Sequence, residues 1–207
     1  MRNRAENQVK LVFIRHGATK SNKEHRYLGR TEEGLWEAGK RELLQAKKEE
    51  RYPQVTQLFI SPMKRCLETA QILYPEIAPI IIPEWAEMDF GAFEGKNYME
   101  LQKDRRYQAW IDSNGTLPFP EGESREAFTL RCDGGFRRML AYLSESGAWN
   151  QRSLVVGMIV HGGTIMSLLS QYSGGDYFDY QVANGGGYLG VFKERGGAPA
   201  IVDVEKF

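Results

Sequence analysis

Two arginines and two histidines of this 207-residue chain stand where they can act together on an anion. Arg15-His16-Gly17 ends the apolar run 9–14. Arg65 opens a helical pattern after the run 56–60. His161-Gly162-Gly163 ends the most apolar run, 154–160. An arginine fork pairs two phosphoryl oxygens at once, and imidazole serves as nucleophile, proton carrier or donor. Gly162 and Gly163 let backbone approach an anion closely, and Asn22 adds a neutral donor. The set reads as a phosphate pocket. Each member also has a plainer reading: a loop pair for Arg15-His16, a solvated helix residue for Arg65, a strand-end residue for His161. His25 is read as a surface-loop residue. Convergence on one place favours the pocket. An acid is harder to choose, because Glu87, Asp89 and Glu94 share one loop and any of them can reach the same place.

The elements that must position these groups alternate. Short continuous apolar runs suit strands buried on both faces; they fall at 9–14, 56–60, 80–82 and 154–160, with two closing strands at 188–192 and 200–204. Helical patterns fill 33–50, 63–73, 97–110, a long stretch after Ser124, and 162–170. Ser61-Pro62 reads as a cap and first turn, and Gly134-Gly135 as a weak point in the long helix. Alternation of this kind implies an α/β sandwich with a largely parallel central sheet. Ligands of such sheets bind beyond the carboxyl ends of the strands, which puts both arginines and both histidines on one rim. No linker divides the chain, so residues 1–207 are expected to form a single domain, with 83–122 as an irregular insertion covering the site.

Lys plus Arg and Asp plus Glu each number 27, so the net charge is zero. No global field draws the chain to nucleic acid or a membrane surface, and no apolar run is long enough to span a bilayer. Residues 1–10 carry no apolar h-region, which argues against a signal peptide. Cys66 and Cys132 have neither metal-ligand spacing nor a near partner and read as reduced, structural residues. The expected compartment is the cytoplasm. The expected partner is a small phosphorylated metabolite, with a homodimer left open.

Beyond spacing, LVFIRHGATKSN at 11–22 resembles the signature of the histidine phosphatase superfamily, the phosphoglycerate mutase-like fold. Ser61-Pro62-Met63-Lys64-Arg65 followed by Thr69-Ala70 is similar to that family's second block. Glu87-Met88-Asp89-Phe90-Gly91 with Glu94-Gly95 is similar to its third, and Val160-His161-Gly162-Gly163 to its fourth. The resemblance implies a three-layer α/β/α sandwich with a mixed, mostly parallel sheet. It implies phosphomonoester hydrolysis without a metal or other cofactor. His16 would be the nucleophile and Glu87 the proton donor; Arg15, Arg65, a protonated His161 and Gly162 would hold the phosphoryl group, with Asn22 helping. Phe90-Gly91-Ala92-Phe93-Glu94-Gly95, Arg26-Tyr27-Leu28-Gly29 and Pro120-Glu121-Gly122-Glu123-Ser124 resemble α-ribazole phosphatases and broad-specificity small phosphatases. They suggest α-ribazole 5'-phosphate, and a place in cobalamin biosynthesis. The alternatives are phosphoglycerate mutase-type transfer, disfavoured where Glu87-Met88-Asp89 departs from the mutase pattern, and a phosphoanion-binding protein without turnover. Ala18, where many relatives carry Glu, is expected to alter the pocket wall beside His16. Aromatics between Trp85 and Phe119, with Tyr172, Tyr177 and Tyr180, either stack on a leaving group or form core.

Overall fold

A computed structural model describes residues 9–151 and 153–207; residues 1–8 of the polar N-terminal stretch lie outside them. In chain order the elements are β1 (Val9–Arg15), α1 (Lys20–Lys23), α2 (Glu37–Lys48), β2 (Gln57–Ile60), α3 (Lys64–Leu73) and β3 (Ile80–Ile81). Then come α4 (Tyr98–Leu101), α5 (Arg105–Asp112), α6 (Arg125–Glu145), β4 (Val155–Val160), α7 (Gly162–Ser173), β5 (Gly187–Arg195) and β6 (Ala198–Lys206).

The strands form one sheet in the order β3-β2-β4-β1-β5-β6. β3, β2, β4 and β1 pair in parallel; β5 and β6 run antiparallel. The period-two alternation of strand side chains divides each central strand between two cores. Leu11 and Phe13, Phe59, and Met158 and Val160 face a core completed by Phe128, Phe136 and Leu168 of α6 and α7. Val12 and Ile14, Leu58 and Ile60, and Ile159 face a second core, with Leu43, Cys66 and Leu73 of α2 and α3. Helices thus cover both faces, and the result is a three-layer α/β/α sandwich with a mixed sheet. Among the described residues, no helix is long and apolar enough to cross a membrane.

The register of the sheet positions the chemistry. Arg15, the last residue of β1, pairs with Val160, the last of β4. The next residues, His16 and His161, therefore leave the sheet side by side, and His16 N donates to Val160 O at 3.0 Å.

Several local expectations change. Ser61 does not cap α3: its own N–H still bonds the sheet at Ile159 O, 3.0 Å, and the helix starts three residues later. The Glu32 carboxylate accepts from Lys64 N at 3.1 Å instead, supplying the cap from a distant loop. α2 begins at Glu37 rather than 33, because Glu33 is drawn off to accept from Ser21 N. The helix expected over 97–110 is two, since Asp104 accepts from Arg106 N at 2.8 Å and starts α5 anew. Ser124 does cap α6, accepting from Ala127 N at 3.0 Å. α6 runs unbroken through Gly134-Gly135. A Cβ at Gly135 would lie 2.6 Å from Trp85 Nε1, so the missing side chain is the space the indole fills. β5 and β6 are longer than expected, joined at Gly196-Gly197, whose φ values of 60° and 80° suit a tight hairpin.

Candidate active site

His16 is 3% exposed and its Nδ1 lies 2.8 Å from Gly17 O. A carbonyl only accepts, so Nδ1 carries the proton and Nε2 keeps its lone pair. Burial first, then the charges of Arg65 and Arg15, hold this imidazole well below its usual range. His16 is a neutral base ready to act as a nucleophile. The loop around it is tied down: Gly17 N donates to Thr69 Oγ1 at 3.0 Å, and Asn184 Nδ2 to His16 O at 3.1 Å.

His161 lies beside it, with ring centroids 5.1 Å apart. Its Nε2 is 2.7 Å from Ser61 Oγ. That hydroxyl also accepts from Met63 N at 3.4 Å; when it gives its own proton to Nε2, the His161 proton sits on Nδ1. Nδ1 has no hydrogen-bond partner; the Glu87 carboxylate is 3.8 Å away. Burial, followed by Arg65, His16 and Arg15, keeps His161 well below its usual range. Burial and the neighbouring cations thus oppose the protonated His161 of the expected mechanism, and a neutral ring still offers one N–H donor.

Arg65 is fully buried. One edge of its fork is held by Gly29 O at 2.8 Å and Thr31 O at 3.2 Å, and its Nε has no partner. Arg15 repeats the pattern, with one nitrogen on Val182 O at 2.8 Å and a buried, unpartnered Nε. Gly162 lies beside it: a Cβ there would sit 3.5 Å from Arg15 Nε. Asn22 is placed differently. Its side-chain oxygen accepts from Thr19 N and from Asn184 Nδ2, and it lines a smaller hollow that shares Arg15 and Tyr27 with the main cavity.

The three carboxylates of the loop separate sharply. Glu87 is buried, and the loss of solvent raises its pKa against the opposing pull of Met88 N–H, Arg65 and Arg15. Asp89 accepts from Gly91 N at 2.9 Å. Glu94 accepts from Gly29 N, Arg30 N and Thr31 Oγ1, and so braces the carbonyls that hold Arg65. Only Glu87 of the three can work as a protonated acid beside the histidines. His25 has a positive φ of 53° and sits in the smaller hollow with Asn22.

Sequence reading missed Ser61 as a partner of His161, and Arg131. The Arg131 guanidinium donates to Glu84 O at 2.6 Å and Ala86 O at 2.8 Å and pairs with Glu123 at 2.7 Å, which fixes the backbone carrying Glu87. Its signal was available: Glu123, inside a recognised block, lies eight residues before an arginine on a capped helix. Arg15, Glu87, Gly162 and Gly163 line a cavity of about 650 Å³, and the unpartnered His161 Nδ1 lies 3.8 Å from the Glu87 carboxylate in its wall. Of the ambiguous aromatics, Trp85, Phe93 and Tyr172 are core, whereas Phe90, Trp110, Phe119 and Tyr177 line the cavity. Ala18 lines a separate hollow with Gly39 and Leu43, so it is not a wall of this cavity.

The family model for the histidine phosphatase superfamily (branch 1) matches residues 11–199. A phosphoglycerate mutase-like protein 4 from Arabidopsis thaliana is 26% identical over 167 residues, 77% of this chain and 69% of the relative. A Bacillus subtilis (strain 168) protein named uncharacterized phosphatase PhoE is 27% identical over 168 residues, 80% of this chain and 78% of the relative. The solved structure of the alpha-ribazole phosphatase from Shigella flexneri superposes with a TM-score of 0.73 at 24% identity, covering 93% of this chain and 94% of that one.

Proposed function

We propose, because the chain belongs to the histidine phosphatase superfamily, that it hydrolyses the phosphomonoester of a small metabolite through a phosphohistidine on His16. The observation that carries this reading is the set of buried, unpartnered nitrogens Arg15 Nε, Arg65 Nε and His161 Nδ1 around a neutral His16. A buried polar atom without a partner costs stability. Three of them grouped about His16 are accounted for if a phosphoryl group supplies their acceptors.

In the first step the Nε2 lone pair of His16 attacks phosphorus in line, and the ester P–O bond breaks. The proton of the Glu87 carboxyl passes to the leaving oxygen. Charge on the equatorial oxygens of the loose transition state meets both arginine forks and His161 Nδ1–H. In the second step the Glu87 carboxylate takes a proton from water as that water attacks phosphorus. The P–N bond breaks and inorganic phosphate leaves. Two modest barriers replace one high one. The arginines supply the charge stabilisation that this chemistry needs, so the reading includes independence from metal ions. It also takes residues 1–207 as one domain working in the cytoplasm, with 83–122 as the insertion over the site.

Purified protein should hydrolyse a generic aryl phosphate at mildly acidic pH in excess EDTA; loss of turnover on chelation would remove the metal-free mechanism. His16→Ala should abolish turnover and acid-labile phosphate labelling together. α-Ribazole 5'-phosphate is the specific substrate we propose to test, in a rate screen against sugar phosphates, nucleotides and phosphoglycerates. The likeness to a phosphoglycerate mutase-like protein favours transfer as the second reading. Phosphate moving between positions of phosphoglycerate faster than it is released would establish that alternative.

A further inference from the structure

The cavity beyond the phosphate end has an uneven chemistry. Met88, Phe90, Trp110 and Phe119 of the irregular segment face Met166 and Phe178 from α7 and the turn after it. Trp110 and Phe119 stack at 4.7 Å between centroids, with Phe90 edge-on to Phe119 at 4.9 Å. The tyrosine hydroxyls in the wall are already engaged: Tyr27 OH with Tyr107 OH at 3.3 Å, and Tyr177 OH with Gly163 O at 3.5 Å. The other uncharged polar groups are the Trp110 indole N–H, which is buried without a partner, and the side chains of Asn114 and Gln181, exposed residues of the lining. A polyhydroxylated body such as a sugar or glycerate would lose water here and gain few hydrogen bonds in exchange, whereas ring faces favour an aromatic body. The volume, about 650 Å³, suits a drug-sized ligand.

One cation interrupts the apolar wall. Arg125 is the first residue of α6 and lines the cavity. Its guanidinium lies 5.7 Å from the centroid of the Tyr177 ring. Among the described residues it has no hydrogen bond or ion pair. The hydroxyl of that same ring reaches Gly163 O at the phosphate end, so a single tyrosyl ring separates Arg125 from the phosphate end. The N-terminus of a 21-residue helix adds its own positive potential at this point.

We infer that the cavity selects phosphomonoesters whose leaving group is an aromatic body carrying a second anionic group, and that Arg125 reads that group. The inference rests on the hydrolase reading above, not on the α-ribazole substrate, whose leaving group has an aromatic ring but carries no second anion. It names the class of leaving group and a specificity-determining residue.

Three esters with primary alkoxide leaving groups keep the chemical step comparable: glycerol 1-phosphate, 2-(2-naphthyl)ethyl phosphate and the 6-carboxylate of the latter. The naphthyl ester should exceed glycerol 1-phosphate in kcat/KM by about tenfold or more, and the carboxylate should add about another tenfold, within the range one pocket contact discriminates. In Arg125→Gln the carboxylate-to-neutral ratio should fall about tenfold, and in Arg125→Lys by less. Equal or faster turnover of glycerol 1-phosphate would overturn the aromatic class, and an unchanged ratio in Arg125→Gln would overturn the role of Arg125. Calorimetric binding of the same esters to His16→Ala protein separates the two levels. The same order of affinity without wild-type turnover leaves the cavity assignment standing and removes the hydrolase reading. No preference in binding or turnover removes the cavity assignment alone.

Discussion

His16 and Glu87 both lie against His161, and burial shifts each toward its uncharged form, lowering a histidine pKa and raising a carboxyl one. Those shifts suit the nucleophile and the proton donor of the proposed reaction. Because the protonated form of Glu87 is the active one in the first step, activity is lost as pH rises through its raised pKa. Glu87→Gln should lower kcat/KM by about 10²–10⁴-fold and remove that alkaline limb; a limb unchanged in the variant would assign it elsewhere. Ser61 acts through His161. Donation from its hydroxyl to Nε2 would hold the proton on Nδ1, and on that assignment Ser61→Ala should lower kcat by about tenfold, the scale of one lost hydrogen bond. It should also turn the single Nδ1–H signal of His161 in nitrogen NMR into a tautomer mixture, and Ser61→Thr should restore it. A purely structural serine would leave that signal alone.

At the scale of elements, strand ends were legible because the apolar runs stop where the chemistry starts. The acid was not, because three carboxylates within eight residues have equal claims until contacts separate them. Helix limits moved where a cap stood at an unexpected place, as with Glu32 from a distant loop for α3 and the adjacent Asp104 for α5. α6 carries the most remote part of the site. Arg131 pins the Glu87 backbone, while Asp133 accepts from Gln171 at 2.8 Å and from Tyr172, binding α6 to α7. Gly135 lets Trp85 seat against α6, with Trp85 Nε1 on Cys132 O at 3.2 Å. Gly135→Ala should therefore cost about 1–3 kcal/mol by overpacking, read as a lower urea midpoint at unchanged slope. Activity should fall more than stability alone predicts, because the displaced turn carries Glu87. A midpoint equal to wild type would show that the indole does not depend on this gap.

For the whole molecule, a net charge of zero conceals a buried positive site, and the cost of that site appears in the pH dependence of stability. His16 and His161 both have lowered folded-state pKa values. Below about pH 6.5 the unfolded chain binds protons there that the folded chain refuses. Stability is therefore full above that value and lost as pH falls toward the folded values, with a slope of up to about 2.7 kcal/mol per pH unit for two sites. Glu87 works in the opposite direction. Its raised pKa lets the folded chain hold a proton between the ordinary carboxyl range and its own value, which offsets up to half of that slope. Urea unfolding at pH 7 and pH 5.5 should show the loss, and His16→Asn with His161→Asn should flatten it. Equal dependence in wild type and the double variant would move the acid sensitivity to other groups.

Residue types and their order by themselves determined the layered α/β architecture and the rim at which Arg15, His16, Arg65 and His161 gather, and the four motif blocks carried the resemblance to the family. Local spacing suffices for the first two, because strand periodicity and strand-end position follow from neighbours in the chain. Tertiary structure alone decided which carboxylate is buried beside His161, which nitrogen of His16 carries a proton, and what chemistry lines the cavity. Those properties depend on desolvation and on contacts between residues far apart in the chain, such as Asn184 with His16, 168 positions away, and neither is written into any short stretch of sequence.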